Sequence, residues 1–142
     1  MSKLLFLLLF ALVQSQALDN ITEYDIDKIN VLQGNNILEL NVKEGEEFYL
    51  KLKGNPSIGY FWRLLNYDKI PDSLEDLNEQ GKAFKYVSDR RNYDGKFFFK
   101  VGGTYYYKFK ALKQSYNEIA LKFAYSREIT NEPTLVVKIN IA

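Results

Sequence analysis

Between Ile37 and Ile141 the chain returns repeatedly to strict alternation of apolar and polar residues, in short runs broken by turn-forming residues. That period of two, with no convincing amphipathic helix beside it, limits the fold more than any other feature. Glu47 to Lys53 sets Phe48, Leu50 and Leu52 on one face against Glu47, Tyr49, Lys51 and Lys53 on the other, as a half-buried strand requires. Ile37 to Val42 reads the same way, and the intervening Lys43-Glu44-Gly45 suggests a hairpin. Tyr60 to Leu65 aligns Tyr60, Trp62 and Leu64, and Thr104 to Ala111 aligns Tyr105, Tyr107, Phe109 and Ala111. Asn117 to Tyr125 sets Ile119, Leu121, Phe123 and Tyr125 against Ala120, Lys122 and Ala124, and Thr134 to Ile141 closes the pattern with Leu135, Val137, Ile139 and Ile141. Phe84 to Val87 and Phe97 to Phe99 are shorter strand candidates. One helical turn, Pro71 to Leu77, fits inside the connection from Asn66 to Lys82, which is too polar for core. The expectation is a single all-β domain, sandwich or barrel, without internal repeat or linker.

The first residues carry a different pattern. One positive charge at Lys3 precedes an almost unbroken apolar run from Leu4 to Val13, followed by small and polar residues at Gln14-Ser15-Gln16-Ala17. This predicts a secretory signal peptide over 1–17 and a mature domain over 18–142 with a short polar N-terminal arm, because the run is too short to anchor in a bilayer. The mature protein is then expected to be soluble, secreted or held in a lysosome-like or vesicular lumen. Loss of Lys3 leaves basic and acidic residues equal in number, which gives no general attraction to nucleic acid or to an anionic membrane. Asn20-Ile21-Thr22 forms an N-glycosylation sequon, whereas Asn55 is followed by Pro56 and is no acceptor.

The chain has no cysteine, so a secreted domain of this size gains nothing from disulfide staples, and its eleven Tyr and ten Phe must supply stability by burial. With no histidine either, a Ser-His-Asp triad, a Cys-His dyad and the usual zinc sites are excluded. Paired-carboxylate hydrolysis needs an extended cleft that so small a domain has little material to build. The acidic residues Asp19, Glu23, Asp25 and Asp27 lack the glycine and terminal glutamate of a calcium loop and read as a solvated arm. Neither an enzyme nor a cofactor is expected.

Three turns stand out from this scaffold. In Asn55-Pro56-Ser57-Ile58-Gly59, Asn and Ser favour side-chain to backbone bonds, Pro presets φ and Gly permits a left-handed angle, yet an apolar Ile58 sits at the tip. The second is Val101-Gly102-Gly103-Thr104, ahead of a tyrosine-rich strand, and the third is Ser126-Arg127-Glu128-Ile129-Thr130, between the last two strands. In a seven-strand immunoglobulin-type sandwich, alternate loops gather at one end, which would unite all three.

At these positions the chain resembles the chagasin family of cysteine-protease inhibitors. Asn55-Pro56-Ser57-Ile58-Gly59-Tyr60 is similar to that family's Asn-Pro-Thr-Thr-Gly-Tyr/Phe loop, Gly102-Gly103-Thr104 matches the later part of its glycine-rich loop, and Arg127 stands at the Arg of its Arg-Pro-Trp/Phe loop. The resemblance runs from about Leu38 to Ile141. Ser57-Ile58 replace Thr-Thr, Lys100 replaces the leading glycine of the second loop, and Glu128-Ile129 replace Pro-Trp, so the third loop has lost its stiffening and stacking residues. The resemblance implies an immunoglobulin-like antiparallel β-sandwich of about seven to eight strands. Its three loops would fill the cleft of a papain-like (clan CA) cysteine protease, reversibly and without covalent chemistry, in a monomer. Asn55 and Pro56 would fix the first loop, Ser57 and Ile58 would make contact, and Gly59 would let the tip approach closely.

Each feature also has a blander reading. The first turn could be an ordinary interstrand turn, Gly102-Gly103 a bend, Arg127 a solvated residue and Trp62 core. The rival function is a secreted adhesion or carbohydrate-binding module, with Tyr105-Tyr106-Tyr107 and Tyr93 stacking on a ligand. Tyr106 discriminates, because that reading needs it exposed in a flat aromatic strip away from the three turns.

Overall fold

The alternation resolves into strands that pack as two sheets around one core. The structure, a computed structural model, describes residues 21–26, 36–89 and 102–142. Among them are nine strands: β1 (Thr22–Ile26), β2 (Asn36–Val42), β3 (Glu47–Gly54), β4 (Phe61–Leu64), β5 (Leu74–Asp76), β6 (Lys85–Ser88), β7 (Gly103–Ala111), β8 (Ile119–Ser126) and β9 (Leu135–Ile141). One sheet runs β1-β3-β7-β5, with β6 also paired to β7, and the other runs β2-β9-β8-β4. The result is the expected all-β sandwich. The leader, Asn20, Tyr93 and the strand candidate Phe97–Phe99 lie outside the described residues.

Alternation built the core as anticipated. Phe48, Leu50 and Leu52 from β3 and Tyr107 and Phe109 from β7 face Leu121 and Phe123 from β8 and Val137 and Ile139 from β9, all fully buried. The Tyr107 and Phe123 rings meet edge to face at 4.9 Å across the two sheets. Each such side chain contributes roughly 1.5–3 kcal/mol on burial, which is how a domain without disulfides holds together. The Tyr107 hydroxyl donates to the Gly81 carbonyl at 3.2 Å, so its one polar atom is satisfied.

Several expectations are corrected. Lys43-Glu44-Gly45 does not close a hairpin: β2 pairs with β9 in one sheet and β3 with β1 and β7 in the other, so the turn crosses between sheets. Alternation reveals an inward face and says nothing about which strand lies alongside. Two pairings, β1 with β3 and β2 with β9, are parallel, so both sheets are mixed rather than purely antiparallel. Glu23 and Asp25 are exposed as expected but belong to a strand, not to a free arm. They lie on β1, both 3.3 Å from the Lys51 ammonium of β3, while Asp19 and Asp27 lie outside the described residues. Pro71 to Leu77 holds a turn, closed by Leu74 N–H on Pro71 O at 3.1 Å, and then β5 rather than a helical turn. Leu74 is buried opposite Ala111, and that apolar contact outweighs the local preference.

The polar connection is pinned by two side-chain amides that imitate strand backbone. Asn66 donates to Ala120 O at 2.8 Å and accepts from Lys122 N–H at 2.9 Å. Asn78 does the same for Lys108, at 3.1 and 2.8 Å.

Candidate binding site at the loop end

The C-terminal end of β3, the start of β4, the start of β7 and the end of β8 coincide. Gly54 is paired with Gly103 and Phe61 with Ser126. The three turns singled out from the sequence therefore leave the sandwich at one end.

The first turn is ordered by its own chemistry. Asn55 is extended, and its side-chain oxygen accepts from the Ser57 N–H at 3.1 Å and from the Ser57 hydroxyl. Pro56 opens a single 3-10 turn over Pro56–Ile58, which ends at Gly59 with φ of 86° and with its N–H on Pro56 O at 3.0 Å. That angle lies in the left-handed region, which costs a residue with a Cβ roughly 1–2 kcal/mol. Ser57 and Ile58 are exposed, Ile58 by 42%.

Beneath the turn lies an aromatic stack. Tyr60 stacks on Tyr125 with centroids 5.4 Å apart, and Trp62 packs against the same ring at 4.9 Å. The Tyr125 hydroxyl accepts from the Asn55 N–H at 2.9 Å, and Trp62 Nε1 donates to Lys53 O at 2.9 Å. Two conjugated rings thus spend their polar atoms on the two ends of the turn's N-terminal stem. Gly54 is required here because a Cβ would come within 2.8 Å of the Tyr105 ring and 3.1 Å of the Tyr125 ring.

Arg127 reaches in from the third turn. Its guanidinium carbon lies 4.9 Å from the Tyr60 ring centroid, and its side chain passes beside Gly59. The cation–π contact ties the third turn to the first. Glu128 is exposed, and its carbonyl accepts from the Ser126 hydroxyl at 2.6 Å, which closes the turn where the resemblance has proline. Ile129 projects beyond it, 82% exposed.

The second turn sits deeper than the sequence suggested. Gly103 and Thr104 belong to β7 and are buried, so only Gly102 reaches the surface of this end among the three. Any Cβ at Gly103 would collide with the Tyr86 hydroxyl and the Val87 carbonyl, and Thr104 Oγ1 accepts from the Lys53 ammonium at 3.0 Å. These two residues support the end of the sheet.

The structure therefore brings Asn55, Pro56, Ser57, Ile58, Gly59, Tyr60, Gly102 and Arg127 together. Sequence reasoning missed Gly54, Tyr125 and Ile129. Tyr125 read simply as the inward end of an alternating strand, although its position opposite Trp62 gives it the hydroxyl that anchors Asn55. Among the described residues the rival aromatic strip is not formed. Tyr105 and Tyr107 are buried, and Tyr106 is half-buried, met edge-on by Tyr49 at 5.5 Å and covered by the Lys85 ammonium at 4.7 Å.

Comparison with known proteins bears on the fold and the family. No curated protein matches the chain. Among solved structures, the solution structure of amebosin shares 22% identity over 87% of this chain and 99% of its own, with a TM-score of 0.51. The cysteine protease inhibitor EhICP2 from Entamoeba histolytica shares 18% over 86% and 96%, with a TM-score of 0.51. PbICP-C, solved in complex with falcipain-2, shares 14% over 85% and 99%, with a TM-score of 0.50. These likenesses share the fold, and residues 41–141 match the family described as chagasin family peptidase inhibitor I42. The chain belongs to the chagasin family of peptidase inhibitors.

Proposed function

We propose that the protein inhibits papain-like cysteine proteases reversibly and without covalent chemistry, by seating its loop end in the catalytic cleft. The observation that carries this reading is the Asn55–Gly59 turn, an internally bonded tip with Ser57 and Ile58 exposed above a braced aromatic base. A tip already held in one shape loses little freedom on docking, and each side chain that need not be immobilised saves about 0.5–1.5 kcal/mol. The cysteine protease class is supported by EhICP2, a cysteine protease inhibitor, and by PbICP-C, which binds falcipain-2. Ser57 and Ile58 make the contact, Gly59 lets the tip approach, Asn55 and Pro56 hold it, and Tyr60 with Arg127 braces it. Gly102 flanks the contact, and Gly103 and Thr104 support it from within β7. Residues 1–17 act as a secretory leader, so the target is met outside the cell or in a vesicular lumen.

The test is titration of residues 18–142 against a papain-type enzyme with a fluorogenic peptide, beside a serine protease. Tight inhibition of the cysteine enzyme alone is expected. No inhibition at micromolar concentration sinks the proposal.

A further inference from the structure

The loop end runs on into a cleft that the three-turn reading leaves unused. It opens between β4 of one sheet and β6 of the other, encloses about 530 Å³, and is lined in part by Ile129, Thr130 and Asn131 of the third turn. Sites that hold a ligand or a peptide side chain usually have about 300–1,000 Å³.

Backbone, side chains and charge agree on what this cleft accepts. Among the described strands β4 is an edge, paired with β8 alone. Leu65 N–H bonds Lys122 O of β8, while Leu64 N–H turns the other way to Gly81 O. Trp62, two residues before Leu64, therefore points its own N–H and C=O to the open side, and no described main-chain group bonds them. Phe61 and Tyr67 are each 42% exposed along the cleft, and Ile129 stands at its lip. Its described lining includes Arg63, Lys82 and Lys85 and no carboxylate, although the whole chain is nearly neutral. Lys85 spends its ammonium on the Tyr49 and Tyr106 rings, leaving Arg63 and Lys82 for an incoming anion.

We infer that the cleft is a second docking surface for the inhibited protease. An extended segment of the protease outside its catalytic centre adds as a strand to β4. An apolar side chain of that segment lies against Phe61 and Tyr67, and a neighbouring carboxylate faces Arg63 and Lys82. The inference rests on the proposed inhibition, since Ile129 joins the two surfaces and puts the cleft beside whatever the loop end occupies. A free edge supplies affinity through main-chain bonds, while flanking pockets and charges choose the partner.

The experiment compares wild type with the Arg63→Glu/Lys82→Glu double variant, both positions being exposed, after equal melting temperatures have been verified. Inhibition constants and dissociation rates against a papain-type protease are measured, with hydrogen exchange at the Trp62 amide in the complex. The variant is expected to inhibit about tenfold more weakly, chiefly through faster dissociation, and the Trp62 amide is expected to exchange more slowly in the wild-type complex. Equal inhibition by both proteins with unchanged Trp62 exchange overturns the second surface and leaves the loop-end proposal standing. Failure of wild type to inhibit any such enzyme removes both. Protection of Trp62 without protease, together with a concentration-dependent dimer, overturns the assignment by giving the cleft to a second copy of the chain.

Discussion

At the scale of single residues, the proposed contact and its support fall to different side chains. Ile58 is apolar and exposed at the tip, whereas Arg127 lies alongside Tyr60 and Gly59 and stiffens the base. Replacing Ile58 by Asp places a charge where the proposed contact desolvates the tip. A central position of this kind is worth roughly 2 kcal/mol or more, about thirtyfold in an inhibition constant. Arg127→Ala removes one exposed cation–π contact, worth about 0.5–1 kcal/mol. Inhibition constants for both variants against the same protease should therefore separate by about tenfold, and equal losses would show that the third turn carries as much as the first. The split was partly legible beforehand. Asn55, Pro56 and Gly59 announce a shaped turn by residue type alone, but nothing in the sequence marks Tyr125 as the anchor of Asn55, because the bond joins residues 70 apart.

At the scale of elements, β1 shows how a polar segment becomes a strand. Thr22-Glu23-Tyr24-Asp25-Ile26 offers only two apolar residues, Tyr24 and Ile26, and its outward carboxylates suit water. Still exposed, they also pair with Lys51 across the strand pair, where burial works against the lysine's charge but Glu23 and Asp25 more than offset it and raise its pKa. A partner distant in sequence is what the pattern could not show, and the same holds for β5. The middle of β1 is tied by the Tyr24 hydroxyl, which donates to Glu46 Oε1 at 2.9 Å. Burial first, and then Glu46, pushes the Tyr24 phenol up to about 12. Burial would raise the Glu46 carboxyl, but bonds from the Lys43 N–H, Thr22 and Tyr24 outweigh it and hold it below the usual range. A depressed folded pKa means that this stabilisation is present above the unfolded value and lost as pH falls through the folded one. Melting temperature from about pH 6 to about pH 3 should fall more steeply for wild type than for Glu46→Gln; parallel curves would show that the carboxylate does not tie β1 down.

At the scale of the whole molecule, the tyrosines that replace disulfides set an upper pH limit. Burial, helped by neighbouring Tyr125 and Tyr86, raises Tyr105 from 10.0 to about 12, and burial drives Tyr107 higher still. For an acid whose folded pKa is raised, stability is complete below the unfolded value and is lost as pH rises through the folded one. Unfolding is therefore expected between about pH 10 and about pH 12, with phenolate absorbance rising together with loss of circular dichroism. Ionisation of every tyrosine near the ordinary value with the sandwich intact would contradict it. The inward faces of this core, such as Phe48, Leu50 and Leu52, were plain in the alternation. The cleft beside β4 was not, because its walls come from β4, β6 and the third turn, which approach one another only after both sheets have formed.

The parallel pairing of β2 with β9 has a kinetic meaning. Asn36 bonds Thr134, 98 residues further on, and Leu38, Leu40 and Val42 lie in register with Val137, Ile139 and Ile141. A chain emerging from the ribosome cannot form this pairing until β9 is free, so β2 waits without that partner while all the intervening residues are made. Closing so long a loop is entropically slow, and sandwiches dominated by such pairings fold in about milliseconds to seconds rather than microseconds. Throughout that interval β2 offers two open edges, and the glutamate between Leu38 and Leu40 puts a charge on the strand, a feature that disfavours edge-to-edge pairing with a wrong neighbour.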